Sequence, residues 1–162
     1  MIIDTSSPSD LDELVKLYEL ARLQMINTGN PNQWVDGYPS PDLISSDIQS
    51  GCLYVCRDND ELVAAFVLSE SEDPSYNVIY DGDWRNEDTY AVIHRLAVST
   101  SGRGIGQRCV DWCVDRYSNI KVDTHSDNLP MQRLLEKNGF ERCGTIRNTW
   151  GAIRVAYHGV FD

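Results

Sequence analysis

A chain of 162 residues with 41% apolar and 24% charged side chains is long enough to bury a core without disulfides or metals. No apolar run approaches the roughly 18 to 20 residues that cross a bilayer. The formal charge of -11, from 25 acidic against 14 basic residues, argues against nucleic acid, since no run of Lys and Arg offsets the repulsion.

The chain opens Met1-Ile2-Ile3-Asp4, a short strand without the basic flank and apolar stretch of a secretory signal, so the expected location is the cytoplasm. Ser7-Pro8 reads as a helix start, and Leu11, Leu14, Val15, Tyr18, Ala21 and Met25 form one apolar stripe up to Thr28-Gly29. Asn30 to Pro41 is a loop that carries Trp34 and Tyr38, and a short helix from Pro41 to Ser50 follows. Leu53 to Arg57 and Glu61 to Leu68 flank Asp58-Asn59-Asp60 as a β-hairpin. A polar, aromatic-dotted stretch from Ser69 to Asp88 precedes an apolar strand, Tyr90 to Val98, interrupted only by His94 and Arg95. Ile105 to Ser118 is helical, with Cys109 and Cys113 one turn apart on its apolar stripe. Five cysteines, an odd number without a histidine at ligand spacing, are expected to be reduced, with no metal bound. A strand, Ile120 to Thr124, a helix, Pro130 to Asn138, and two strands, Glu141 to Thr145 and Ile153 to Val160, complete an α/β chain with a mixed sheet, expected to be a single domain over 1–162.

The stretch Ser101-Gly102-Arg103-Gly104-Ile105-Gly106-Gln107 lies between a strand and a helix. Small residues there let backbone N–H groups converge, and the helix start adds its positive dipole end, so a phosphate or pyrophosphate is the expected guest; a tight turn without a ligand is the plainer alternative. A P-loop needs Gly-Lys followed by Ser or Thr, which is missing, and the third glycine of a dinucleotide fingerprint is replaced by Cys109.

The turn resembles the coenzyme A motif of the GNAT superfamily of N-acetyltransferases: Arg or Gln, two residues, Gly, one residue, Gly or Ala. The matching positions are Ser101, Gly104 and Gly106, with Ser101 departing from the pattern. Asn128 to Phe140 resembles the superfamily's second signature, ending in Lys137-Asn138-Gly139-Phe140. The resemblance implies a GNAT-type fold in which the strands ending at Val98 and Thr124 splay apart. It also implies acetyl-coenzyme A as cosubstrate, bound by Leu96, Ala97, Val98, Gly102, Arg103, Gly104, Ile105, Gly106, Gln107, Asn128 and Met131.

Acetyl transfer to an amine needs a base, because a primary amine is almost wholly protonated at neutral pH. The strand carries no Glu between Tyr90 and Val98, so His94 is the candidate, although a histidine on an apolar strand is often simply packed. Asp123 and His125 stand in reserve, His158 looks remote, and Arg95 is read as an ion-pair partner or a substrate-carboxylate ligand. A strand N–H near Leu96 or Ala97, freed by a bulge, would polarise the carbonyl. The superfamily's usual general acid, a tyrosine, is replaced by Leu135. By resemblance the acceptor, a small-molecule or peptide amine, is walled by the loop after the first helix and by the segment before the central strand. Trp34, Tyr38, Tyr80 and Trp84 are the candidates there, with Tyr76 beside them; anchoring of loops against the core is their other reading. The chain is expected to act as monomer or homodimer, and a non-catalytic acyl-coenzyme A-binding module is the rival function.

Overall fold

A computed structural model describes residues 1–100 and 103–162. Seven strands form one mixed sheet: β1 (Ile2–Thr5), β2 (Leu53–Asp58), β3 (Glu61–Ser69), β4 (Ala91–Val98), β5 (Asn119–Thr124), β6 (Glu141–Arg147) and β7 (Ile153–Val160), in the spatial order β1-β2-β3-β4-β5-β7-β6. Helices α1 (Leu11–Asn27), α2 (Pro41–Ser50), α3 (Ile105–Val114) and α4 (Leu129–Lys137) cover it. These elements follow the sequence pattern closely. The first helix is entered through a 3₁₀ turn, Pro8–Asp10, and a second such turn, Pro74–Tyr76, interrupts the polar stretch that reads as irregular. Asn59 and Asp60 both have positive φ, the backbone a two-residue hairpin loop needs to match strand twist.

Alternation along β3 assigns the two faces. Ala64, Phe66 and Leu68 pack under α3 and α4 with Ile105, Cys109, Cys113 and Leu135, whereas Ala65 and Val67 pack under α1 and α2 with Leu14, Tyr18 and Ile44. Buried on both sides, β3 reads as a continuous apolar run.

Two irregularities of β4 matter for the site. β4 and β5 are parallel but pair only at Ala91↔Ile120 and Val92↔Lys121, so the strands separate beyond those residues. On the other edge of β4, Ala65 pairs with Ala97 and Val67 with His94, leaving Phe66 opposite both Arg95 and Leu96. This is a β-bulge, and Arg95 has φ +50. Tyr18 on α1 donates its hydroxyl to the Arg95 carbonyl at 2.9 Å, tying the bulge to the helix layer.

His158, expected to be remote, is fully buried on β7. Its Nδ1 accepts from the Arg85 N–H at 3.1 Å and its Nε2 lies 2.7 Å from Asn119 Oδ1. Both contacts suit the neutral ring; a proton on Nδ1 would face another N–H. Burial, and then the charges of Lys121 and Arg85, push its pKa down to about 4. Below about pH 6.5 the unfolded chain takes up a proton that the folded chain refuses, so stability should fall on acidification from there toward pH 4, by up to about 3 kcal/mol. Denaturant melts against pH should show this slope, and His158→Gln should flatten it.

Candidate active site

Two cavities flank the β4 bulge, beyond the point where β4 leaves β5. A groove of about 480 Å³ runs between the C-terminal part of α1 (Gln24, Met25, Thr28), the end of β4 (Leu96, Ala97, Val98) and the start of α4 (Asn128, Met131, Leu134), reaching Thr100 and Gly106. A second cavity, about 320 Å³, is lined by Trp34, Tyr38, Asp73, His94, Arg95, Asp123, Trp150 and Arg154, among others. Arg95 faces one cavity and Leu96 the other, so the bulge stands between them. Gln33 is the second divider: its Oε1 accepts from Asn128 at 2.9 Å and from Asn30 at 2.9 Å, and its side chain lines the smaller cavity.

The groove holds most of the residues expected to bind the coenzyme. Gly104, with φ +71, caps α3, whose first intrahelical bond runs from the Arg108 N–H to the Gly104 carbonyl. Helix geometry therefore leaves the N–H groups of Ile105, Gly106 and Gln107 without an acceptor inside the helix. Asn128 caps α4, accepting from the Met131 N–H at 3.2 Å. The side chains divide differently from the expectation. Ile105 is buried in the core, and Arg103 pairs with Asp58 at 3.1 Å. Gln107 bonds Asp111 and Asn138, bracing α3 against the end of α4; only its main chain remains a candidate donor. Gly102 and Ser101 lie outside the described residues. Leu135 is fully buried in the core, while its neighbour Leu134 lines the groove.

In the smaller cavity, His94 Nε2 lies 3.2 Å from Asp73 Oδ2. Asp73 caps the 3₁₀ turn through the Ser75 N–H at 2.8 Å, and the hydrogen bond with His94 is the main influence holding its carboxyl below the usual range. An ionised Asp73 selects the tautomer with the proton on Nε2 and leaves the Nδ1 lone pair free. Asp123, at the end of β5, accepts from the Tyr76 hydroxyl at 2.6 Å. Burial first, and then Asp123, push the Tyr76 phenol well above its ordinary pKa, so it acts as a fixed donor. His125 instead contacts Asp127 at 3.6 Å.

Arg95 has the ion-pair role. It engages Asp47 on α2 through Nε and Nη2, both at 2.8 Å, and Tyr38 Oη through Nη1 at 3.0 Å. Breaking a buried pair strands the remaining charge, so Asp47→Ala should cost about 3–5 kcal/mol, readable in a urea melt. Trp34 and Tyr38 do line the cavity, and Tyr38 meets Trp150 edge-on at 5.2 Å. Tyr80 and Trp84 do not. Tyr80 bridges Thr145 on β6 with its ring near Arg147, and Trp84 is held against Tyr76, His158 and Lys121. Both anchor the Ser69–Asp88 segment to the sheet.

Sequence reasoning passed over Asp47, Asp73, Trp150 and Arg154. Asp47 and Arg154 carried a signal: each is a charge at an inward position, between Ile44 and Ile48 on a helical stripe and beside Val155 on an apolar strand. Asp73 and Trp150 sit in irregular segments, where no period predicts direction.

The model of the acetyltransferase (GNAT) family matches residues 14–140. The chain belongs to the GNAT acetyltransferase family. It is 26% identical over 122 residues to an uncharacterized N-acetyltransferase, YesJ, of Bacillus subtilis, covering 70% of this chain and 67% of that protein. A GNAT-family acetyltransferase structure from Streptococcus agalactiae superposes with a TM-score of 0.91 at 29% identity, over 99% of this chain and 95% of that one. An acetyltransferase from Salmonella typhimurium, described with its cofactor acetyl-CoA, has the same fold with a TM-score of 0.62 at 15% identity, over 99% and 94% of the two chains.

Proposed function

We propose that the chain transfers the acetyl group of acetyl-coenzyme A to a primary amine of a small molecule or peptide. The observation that carries this is that an elongated groove and a cavity holding the His94–Asp73 pair lie on either side of the β4 bulge. In this reading the diphosphate lies at the start of α3, on the N–H groups of Ile105, Gly106 and Gln107. The pantetheine arm runs along the edge of β4 that β5 has vacated, taking main-chain bonds from Leu96 to Val98 as an added strand would.

The acceptor amine enters from the smaller cavity. His94 Nδ1 takes its proton, the nitrogen pair forms the new bond to the thioester carbon, and a bulge amide steadies the oxyanion. Collapse breaks the carbon–sulfur bond. The second proton that the nitrogen sheds as the amide forms reaches the leaving thiolate through water, since Leu135 offers none and a thiol pKa near about 8.5 makes the thiolate a tolerable leaving group.

Thiol release from acetyl-coenzyme A with a panel of amines tests this. Amine-dependent release is expected. Saturable coenzyme binding with no release for any acceptor would favour a binding module, the reading that the buried Leu135 supports.

A further inference from the structure

Two arginines line the smaller cavity, and they differ in how they are neutralised. Arg95 has its bidentate carboxylate, Asp47. Arg154, only 6% exposed on β7, has none: among the described residues no carboxylate lies within ion-pair distance of it. Its Nη1 donates to the Ile153 carbonyl at 3.2 Å and its Nη2 to the Gln33 carbonyl at 3.1 Å, which hold the guanidinium in place without cancelling its charge. Burial is the dominant influence on Arg154, pulling its pKa down, with the charge of Asp123 acting in the opposite direction. Asp123 lines the same cavity but makes no ion pair with Arg154, and its carboxylate is bound by the Tyr76 hydroxyl.

A buried cation without a counter-ion is costly, and a site that retains one facing a cavity is suited to receive an anion. The planar fork matches a carboxylate in particular. Near His94 and Asp123 the same cavity suits an amine. At about 320 Å³ it sits at the small end of ligand clefts, which span about 300–1,000 Å³.

We infer that Arg154 binds a carboxylate of the acceptor, so that the substrate is a small aminocarboxylate of the free amino acid type. The inference rests on the proposed acetyl transfer and narrows its acceptor. A peptide presents an amide where a free amino acid presents its carboxylate, and so gains less from Arg154.

Thiol release is to be measured with pairs of acceptors that differ only at the acid, an amino acid against its methyl amide, in the wild type, Arg154→Lys and Arg154→Gln. The wild type should favour the acid in kcat/KM by about 10- to 100-fold; Arg154→Gln should lose that preference and Arg154→Lys keep part of it. Because intrinsic amine reactivity cancels between proteins, the change in ratio reads the guanidinium. Equal ratios in all three proteins overturn the inference and leave acetyl transfer to amines standing. Coenzyme binding without release from any acceptor overturns the acetyltransferase reading instead. In that event, or if Arg154→Gln does not fold, calorimetry on the wild type loaded with coenzyme A decides. Tighter binding of an N-acetyl amino acid than of its methyl amide supports carboxylate recognition, and equal binding removes it.

Discussion

His94→Ala should lower kcat for amine acetylation by about 10²- to 10⁴-fold while coenzyme A binding persists, the range expected when a positioned general base is lost. The cause is local. His94 is the one histidine of the described residues on the cavity beside the bulge, and Asp73 at 3.2 Å fixes its proton on the nitrogen away from the free lone pair. Asp73→Asn should therefore produce a smaller drop in kcat, because the ring stays in place while the preference for one tautomer weakens. Stopped-flow thiol release at saturating acetyl-coenzyme A separates the chemical step from binding. If His94→Ala releases thiol at the parental rate, His94 is a packed histidine and the proton goes elsewhere, with Asp123 the next group to replace.

Gly106→Glu should raise the Kd for coenzyme A by about 100-fold or more. A Cβ at Gly106 would meet Leu134 Cδ2 at 3.2 Å and Val98 Cγ1 at 4.0 Å, both on the groove wall, so the longer side chain must project into the groove. Its carboxylate then opposes the diphosphate, and like charges held together at an interface cost several kcal/mol. Gly104→Glu is the instructive comparison. A Cβ at Gly104 meets nothing within 4 Å, but its φ of +71 strains any side chain, so this variant should lose about 1–2 kcal/mol of stability. Calorimetric titration paired with a thermal melt distinguishes a blocked groove from a weakened fold. Unchanged coenzyme affinity in a folded Gly106→Glu protein would remove the groove as the coenzyme site.

Much of this architecture is legible in one sequence because it depends on short-range periods. The stripe of α1, the apolar runs of β2 and β3 and the glycine turn before α3 are each written within about twenty residues. The break between β4 and β5 was expected only through the resemblance to a family, since nothing in Ile93 to Val98 or Val122 to Thr124 says that two parallel strands stop pairing after two residues. The aromatic residues show the other limit. Trp34 and Tyr38 reached the cavity, yet Tyr80 and Trp84, equally aromatic and equally placed in polar loops, packed against β6 and β7. Aromatic character states only that a ring avoids water, and both surroundings satisfy that.

What the sequence determined by itself is therefore the order of elements, the faces they bury and the main-chain donors available after β4, all consequences of local backbone preference and apolar spacing. The tertiary structure alone decided the chemistry of the smaller cavity: Asp73 against His94, Asp47 against Arg95, and Arg154 without an ion-paired carboxylate among the described residues. Those outcomes depend on which strands become neighbours and how a loop from one end of the chain crosses a hairpin from the other. Charge pairing is a property of distance in space, and no spacing along the chain encodes it.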